Sequence, residues 1–307
     1  MAGALPQPTR IAMPTENRRI SRRKLLVRSA QAAAAAAAVS PLARLFAAPR
    51  SRGFKIGACD WSLGKTSDPA AFDVARQIGL DGVQISLGTL QNDMHLRRPE
   101  VQRAYREAAA RTGLEMASVA IGEMNRIPLK SDLRAARWLA QSIDVCTALG
   151  LRISMAACFY AGDLDLARTA EIDRFVGVLK DITPKAEKQG VLIGLESYLS
   201  AEDNLRLIER VGSPAVKVYY DVGNSTDKGR DVYKEIRLLG KSICEFHAKD
   251  NGYMLGQGRI DFKKVRQAMD DVQYSGWIQI EAAAPHGMIP DYTADRKFLK
   301  KLFPRTV

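Results

Sequence analysis

The chain has 307 residues, 46% apolar and 26% charged, which is enough apolar material for a large core in one barrel or in two ordinary domains. The net charge of +12 would suit a nucleic-acid partner, but residues 1–48 supply +7 of it from eight basic side chains against one acid. The +5 left for the remainder is an unremarkable surface and argues against nucleic-acid binding.

The N-terminal 48 residues read as a targeting peptide. Ser21-Arg22-Arg23-Lys24-Leu25-Leu26 resembles the twin-arginine export signature, and a weakly apolar run from Ala32 to Val39 follows it. Arg44 then precedes a small-residue cleavage zone at Leu45-Phe46-Ala47-Ala48. The apolar run is far shorter than the roughly 20 residues of a membrane span. The expectation is export in the folded state to the periplasm or another extracytoplasmic space, with no stable membrane anchor. Residues 49–307 then carry the fold. Cys59, Cys146, Cys158 and Cys244 show neither CxxC nor a disulfide-framework spacing, so buried free thiols are expected.

From Phe54 onward, short β-rich apolar runs alternate with longer stretches of helical period, the signature of repeated βα units. Eight strands are expected, at 54–58, 82–86, 115–120, 152–156, 191–196, 216–221, 242–247 and 277–281. Between them, Leu139, Ile143 and Cys146, or Ile172, Phe175, Leu179 and Ile182, recur at spacings of three and four and predict helices with one buried face. Gly79, Gly113, Gly150 and Gly190 stand just before strands, where a left-handed helix end is needed. Asp261 is placed to cap the helix that carries Phe262, Val265 and Met269. Eight such units in roughly 255 residues predict a single α/β domain, a (β/α)8 TIM barrel. The doubly wound alternative lacks its phosphate fingerprint, because no GxGxxG follows the first strand.

Each of the last four strands ends in a side chain able to bind metal: Glu196, Asp221, His247 and Glu281. Their separations of 25, 26 and 34 residues are about one βα unit each, so consecutive strands would deliver them to one rim of the barrel. Three carboxylates held together repel and raise one another's pKa unless a cation sits among them. Three oxygens and one imidazole favour Mn²⁺, Mg²⁺ or Co²⁺, with Zn²⁺ also admissible. His247 would bind through one ring nitrogen, its other nitrogen held by an acceptor that sequence does not name.

These residues sit in motifs that carry a family resemblance. Leu-Glu-Ser at Glu196, Tyr-Asp-Val-Gly-Asn from Tyr220, Phe-His-Ala-Lys-Asp from Phe246 and Gly-x-Gly-x-Ile-Asp-Phe from Gly256 resemble the xylose isomerase-like barrel superfamily, in its sugar epimerase and isomerase branch. The resemblance spans about residues 54–305. It implies one divalent ion, Mn²⁺ foremost, chelating a keto sugar, with Glu196 and Glu281 as catalytic groups that remove and return a proton on opposite faces through an enediolate. The chain departs from the ketose 3-epimerases twice. Asn224 stands where they carry a substrate-contacting His, and Tyr253 where they carry an Arg.

Around this set, Asp60, Trp61, Glu123, Asn224, Lys249 and His286 are the candidate substrate-binding residues, with Asp250 beside Lys249 able to orient a hydroxyl or a ligand carboxylate. His95 occupies a place where a zinc-dependent apurinic endonuclease of the superfamily would have a ligand, but three histidines in all cannot complete a three-metal site. The expected partner is a small sugar or glycoside, and self-association into a homo-oligomer stays open. Two further readings accompany the epimerase: an exported 3-keto-glycoside lyase or hydrolase using the same metal and base, and a non-catalytic sugar-binding barrel.

Overall fold

In the computed structural model, which describes residues 53–304, eight parallel strands close into one barrel in the order of the sequence. The export signal expected over residues 1–48 lies outside the described residues. The strands are β1 Phe54–Cys59, β2 Gly82–Ser86, β3 Glu115–Ile121, β4 Ile153–Cys158, β5 Leu192–Ser197, β6 Val216–Asp221, β7 Ile243–Ala248 and β8 Gly276–Ile280. They read as nearly unbroken apolar runs because helices cover the outside of the barrel and side chains fill its inside. The last strand closes on the first, with Ile56 opposite Ile278 and Ala58 opposite Ile280.

The helices are α1 Ala71–Ile78, α2 Pro99–Thr112, α3 Leu133–Leu149, α4 Thr169–Gln189, α5 Ala201–Val211, α6 Val222–Asp227, α7 Val232–Leu239, α8 Phe262–Asp271 and α9 Met288–Leu302. The expected stripes on α3 and α4 are buried against the barrel. Gly79, Gly113, Gly150 and Gly190 end α1, α2, α3 and α4 with φ of 84°, 71°, 72° and 69°, a left-handed conformation that a Cβ would disfavour. Asp261 caps α8 by accepting from the Lys263 and Lys264 amides.

The strand bounds differ from expectation by a residue or two. β4 runs on to Cys158 because Ala157 and Cys158 pair with Glu196 and Ser197, which the small side chains gave no reason to extend. Glu281 lies one residue beyond β8, where its N–H still donates to the Ala248 carbonyl at 3.0 Å.

Two register slips bear on the site. Between Val83 and Ile85 the partner strand β3 takes one extra residue, and between Val218 and Tyr219 the partner β7 does the same. Such bulges re-aim side chains. The interior they serve is polar where branched apolar layers are usual. Gln84, Ser118, Glu245 and Gln279 are all fully buried there and bond to one another, and the bond from Ser118 on β3 to Glu245 on β7 crosses the barrel interior.

Candidate metal centre

Strand pairing sets Asp221 opposite His247, and the ends of β5 and β8 bring up Glu196 and Glu281. Each of the four offers one ligand atom, and those atoms all lie within 4.8 Å of one another. His247 Nδ1 faces every carboxylate: 2.8 Å to Glu196 Oε1, 3.7 Å to Glu281 Oε2 and 3.9 Å to Asp221 Oδ2. Glu196, Asp221 and His247 are buried, while Glu281 is partly exposed, so the cluster opens on that side.

Asp221 divides its two oxygens between structure and site. Oδ1 accepts from the Gly223 and Asn224 amides at 2.7 and 2.9 Å and caps α6. Oδ2 is buried and accepts no hydrogen bond, with Lys249 Nζ 3.7 Å away. An orphaned buried carboxylate oxygen is rare and fits a ligand atom aimed at a cation.

The electrostatics point the same way. Burial pushes Asp221 up to about 7, helped by the charges of Glu281 and Glu196, against the opposing pull of Lys249 and His247. Burial would depress His247, but the charge of Glu196, with that of Glu281, outweighs it and holds the imidazole well above its usual value. Three carboxylates against Lys249 and a protonated His247 leave one negative charge in excess. A divalent ion with a neutral imidazole would leave the group balanced, so the donor set fits one such ion.

The other expected residues fall into two groups. Trp61 and Lys249 meet the cluster at Glu281: Trp61 Nε1 donates to Oε1 at 2.8 Å and Lys249 Nζ donates to Oε2 at 3.0 Å. Burial alone would raise Glu281, but the positive charges of His247 and Lys249 bring it below its usual value. Asn224 sits in the first turn of α6 and contributes its amide to Asp221.

Asp60 does not form part of a sugar wall. It is fully buried, and its carboxylate accepts from the Ser86 amide (2.7 Å), the Ser86 hydroxyl (2.7 Å) and the Ser67 amide (3.0 Å), bracketing β1 to β2. Glu123 Oε1 accepts from the Leu90 amide of the neighbouring loop at 3.2 Å, while its Oε2 is buried and accepts no hydrogen bond. His286 turns to Asp291, with Nδ1 3.3 Å from Oδ1 and a largely exposed side chain, and so stays away from the cluster. Asp250 is buried and accepts from the Gly258 and Arg259 amides, which pins the Gly-x-Gly loop. A Cβ on Gly258 would come within 2.2 Å of that carboxylate.

Sequence reasoning missed what stands behind His247. Gln84 Oε1 lies 2.8 Å from His247 Nε2 and is the acceptor that the motif left unnamed. Its only signal was a lone amide in the apolar run Gly-Val-Gln-Ile-Ser. Cys59 Sγ lies 3.3 Å from the same nitrogen and donates to Gln84 Oε1 at 3.2 Å; burial pushes this thiol up to about 12, so it remains S–H. The Tyr219 ring packs on the imidazole with centroids 4.5 Å apart. All four cysteines are free. Among the described residues, no helix is long and apolar enough to cross a membrane.

A family model described as the xylose isomerase-like TIM barrel matches residues 72–302. The chain is 26% identical over 178 residues to 2-epi-5-epi-valiolone 7-phosphate 2-epimerase of Actinoplanes sp., covering 58% of this chain and 65% of that one, just under two thirds of the relative's length. It is 25% identical over 231 residues to L-ribulose-5-phosphate 3-epimerase of Salmonella typhi, covering 68% of this chain and 79% of that one. Among solved structures, D-psicose 3-epimerase in the presence of D-fructose superposes with a TM-score of 0.68 at 16% identity, covering 81% of this chain and 99% of that chain. The 3-keto-D-glucoside 4-epimerase of E. coli superposes with a TM-score of 0.65 at 14% identity, with the same coverage of 81% and 99%. At these identities the structural likeness shows the fold alone.

Proposed function

This chain belongs to the xylose isomerase-like TIM barrel family, and from that premise we propose that it is a divalent-metal-dependent sugar epimerase that moves a proton at a carbon beside a ketone. The observation that carries this reading is the meeting of Glu196, Asp221, His247 and Glu281 within 4.8 Å at one rim. The sugar epimerases among its relatives support it.

Those four residues would hold the ion, Mn²⁺ ahead of Mg²⁺, Co²⁺ or Zn²⁺, and when bound it would polarise the sugar carbonyl and offset the charge that builds on its oxygen. Glu196 and Glu281 are the proton-transfer pair, one removing the proton and the other returning it on the opposite face. Trp61 and Lys249 occupy both oxygens of Glu281, so its carboxylate meets substrate in one orientation and in its charged form. Tyr219 and the buried imidazole close the floor of the site and keep bulk water from the reacting carbon.

A second reading, elimination from an oxidised glycoside by the same base, is favoured by Asn224 and Tyr253, which replace the His and Arg of the free-ketose epimerases. The twin-arginine stretch at Ser21–Leu26 supports a reaction outside the cytoplasm, and fractionation of cells expressing the full chain tests that placement.

The catalytic reading is tested by stripping the protein with a chelator, restoring Mn²⁺, and incubating it with ketoses and 3-keto-glycosides in deuterated water. Exchange at carbon without loss of a leaving group is the expected result. Release of an aglycone supports the second reading, and neither exchange nor release reduces the protein to a binder.

A further inference from the structure

We propose that Gln84 is the positioning residue for His247: with Ser118 and Glu245 it forms a one-way chain of hydrogen bonds that holds the imidazole by its Nε2–H and so aims Nδ1 at the carboxylates. The inference rests on the metal reading given above.

The chain starts at a buried carboxylate. Glu245 Oε1 accepts from Ser118 Oγ at 3.0 Å, from Tyr219 OH at 3.0 Å and from Gln279 Nε2 at 2.7 Å, while Glu245 Oε2 is buried without a partner. With its proton given to Glu245, Ser118 Oγ has only lone pairs to offer Gln84, and Gln84 Nε2 donates to it at 3.1 Å. That contact sets the amide with its oxygen toward the imidazole, 2.8 Å from His247 Nε2. An acceptor at that distance is satisfied only by an N–H, so the proton is fixed on Nε2.

Reversing the amide would place its NH₂ against Nε2 and its oxygen against Ser118. Ser118 would then have to donate to Gln84 and abandon Glu245, a fully buried carboxylate whose other oxygen accepts from no side chain or amide. Burial therefore sets the direction of every bond in the chain. The other ring nitrogen is the one that faces Glu196, Glu281 and Asp221, where an ion would take it. The backbone is bent to this end, because the two register slips fall where Gln84 and Ser118 meet across β2 and β3 and just before Glu245 on β7. A polar layer inside a barrel that is ordinarily apolar finds its reason here: an imidazole ligand needs its second nitrogen held.

The test compares wild type, Gln84→Met, Ser118→Ala and Ser118→Thr by calorimetric titration of the chelator-stripped protein with Mn²⁺. In parallel, ¹H–¹⁵N spectra of histidine-labelled protein loaded with diamagnetic Zn²⁺ report the shift and water exchange of the His247 Nε2–H proton, and hence its hydrogen bond. Only three histidines are present, so His247 is assigned readily. Affinity is expected to fall about 10-fold in Ser118→Ala and up to about 100-fold in Gln84→Met, with the Nε2–H proton moved upfield and exchanging faster with water in both, and Ser118→Thr is expected to restore wild-type behaviour. A merely structural role would lower melting temperature without moving the Nε2–H signal. Ser118→Ala removes a single oxygen and decides the matter if Gln84→Met does not fold. Wild-type affinity together with an unchanged Nε2–H shift and exchange rate in both Ser118→Ala and Gln84→Met would overturn the proposal while leaving the metal site standing. A wild-type protein that binds neither ion overturns the metal reading, and this proposal with it.

Discussion

Lys249 Nζ lies 3.0 Å from Glu281 Oε2 and 3.7 Å from Asp221 Oδ2, so one ammonium stands between two of the acids that face His247. Burial would lower Lys249, but the charges of Asp221 and Glu281 outweigh it and keep the ammonium charged. It competes electrostatically with any cation in the cluster. Lys249→Met is therefore expected to bind Mn²⁺ about tenfold more tightly while turnover falls at least about tenfold, since Glu281 loses the donor that orients it. Calorimetry and deuterium exchange on the same variant check both halves. Weaker binding would show that Lys249 supports the ion site rather than opposing it.

Glu196→Gln and Glu281→Gln each keep the shape of the side chain and remove its capacity to take a proton. Exchange at carbon is expected to fall by about 10²–10⁴ in either variant, with Mn²⁺ binding weakened as well. Full activity in one of them would remove that residue from the proton-transfer pair.

An ion held by the cluster would also stabilise the fold, because it would tie three strand ends to the turn after a fourth. At a hundredfold excess over its dissociation constant it is expected to add about 2.7 kcal/mol. For a domain of this size that is a rise of about 5–10 °C in melting temperature over the chelator-stripped protein. Scanning calorimetry with and without Mn²⁺ measures it, and coincident transitions would count against a site in the native state.

Asp60 provides a pH signature away from the cluster. Burial, only partly offset by its bonds from Ser86 and Ser67, raises it from 3.8 to about 6. A carboxyl raised on folding favours the native state below its unfolded pKa, and that stability is lost as pH rises through the folded value. The loss by neutral pH is about 3 kcal/mol. Asp60→Asn retains the carbonyl that accepts the two amides and should flatten the dependence of unfolding free energy on pH between about 4 and 7. Denaturant titrations at the two ends of that window compare the proteins, and equal slopes would show that Asp60 is ionised at no cost.

The barrel was legible because its signals are local and repeated. Apolar runs such as Val-Leu-Ile-Gly-Leu-Glu, helix-ending glycines such as Gly150 and stripes such as Ile172 to Ile182 each act within a few residues, and each formed its element. The four candidate ligands were legible for the same reason, since a charged residue closing an apolar strand is conspicuous by itself. Contacts that join distant strands were not. Gln84 meets His247 across 163 positions of sequence, and Trp61 meets Glu281 across 220, and neither pairing leaves a periodic trace. Asp60 misled because a polar residue after a strand looks the same whether it faces the mouth or ties down the turn, and only the positions of the Ser67 and Ser86 amides decide between them.

The bond from Trp61 to Glu281 spans the seam where β1 meets β8, the first and last staves of the cylinder. During synthesis Glu196, Asp221 and His247 leave the ribosome well before their fourth companion, and the residue that orients that companion has been waiting since the opening strand. A nascent chain halted before Gly276 lacks both the strand that closes the cylinder and the fourth member of the cluster. Completion of the ring and completion of the cluster thus coincide in one event.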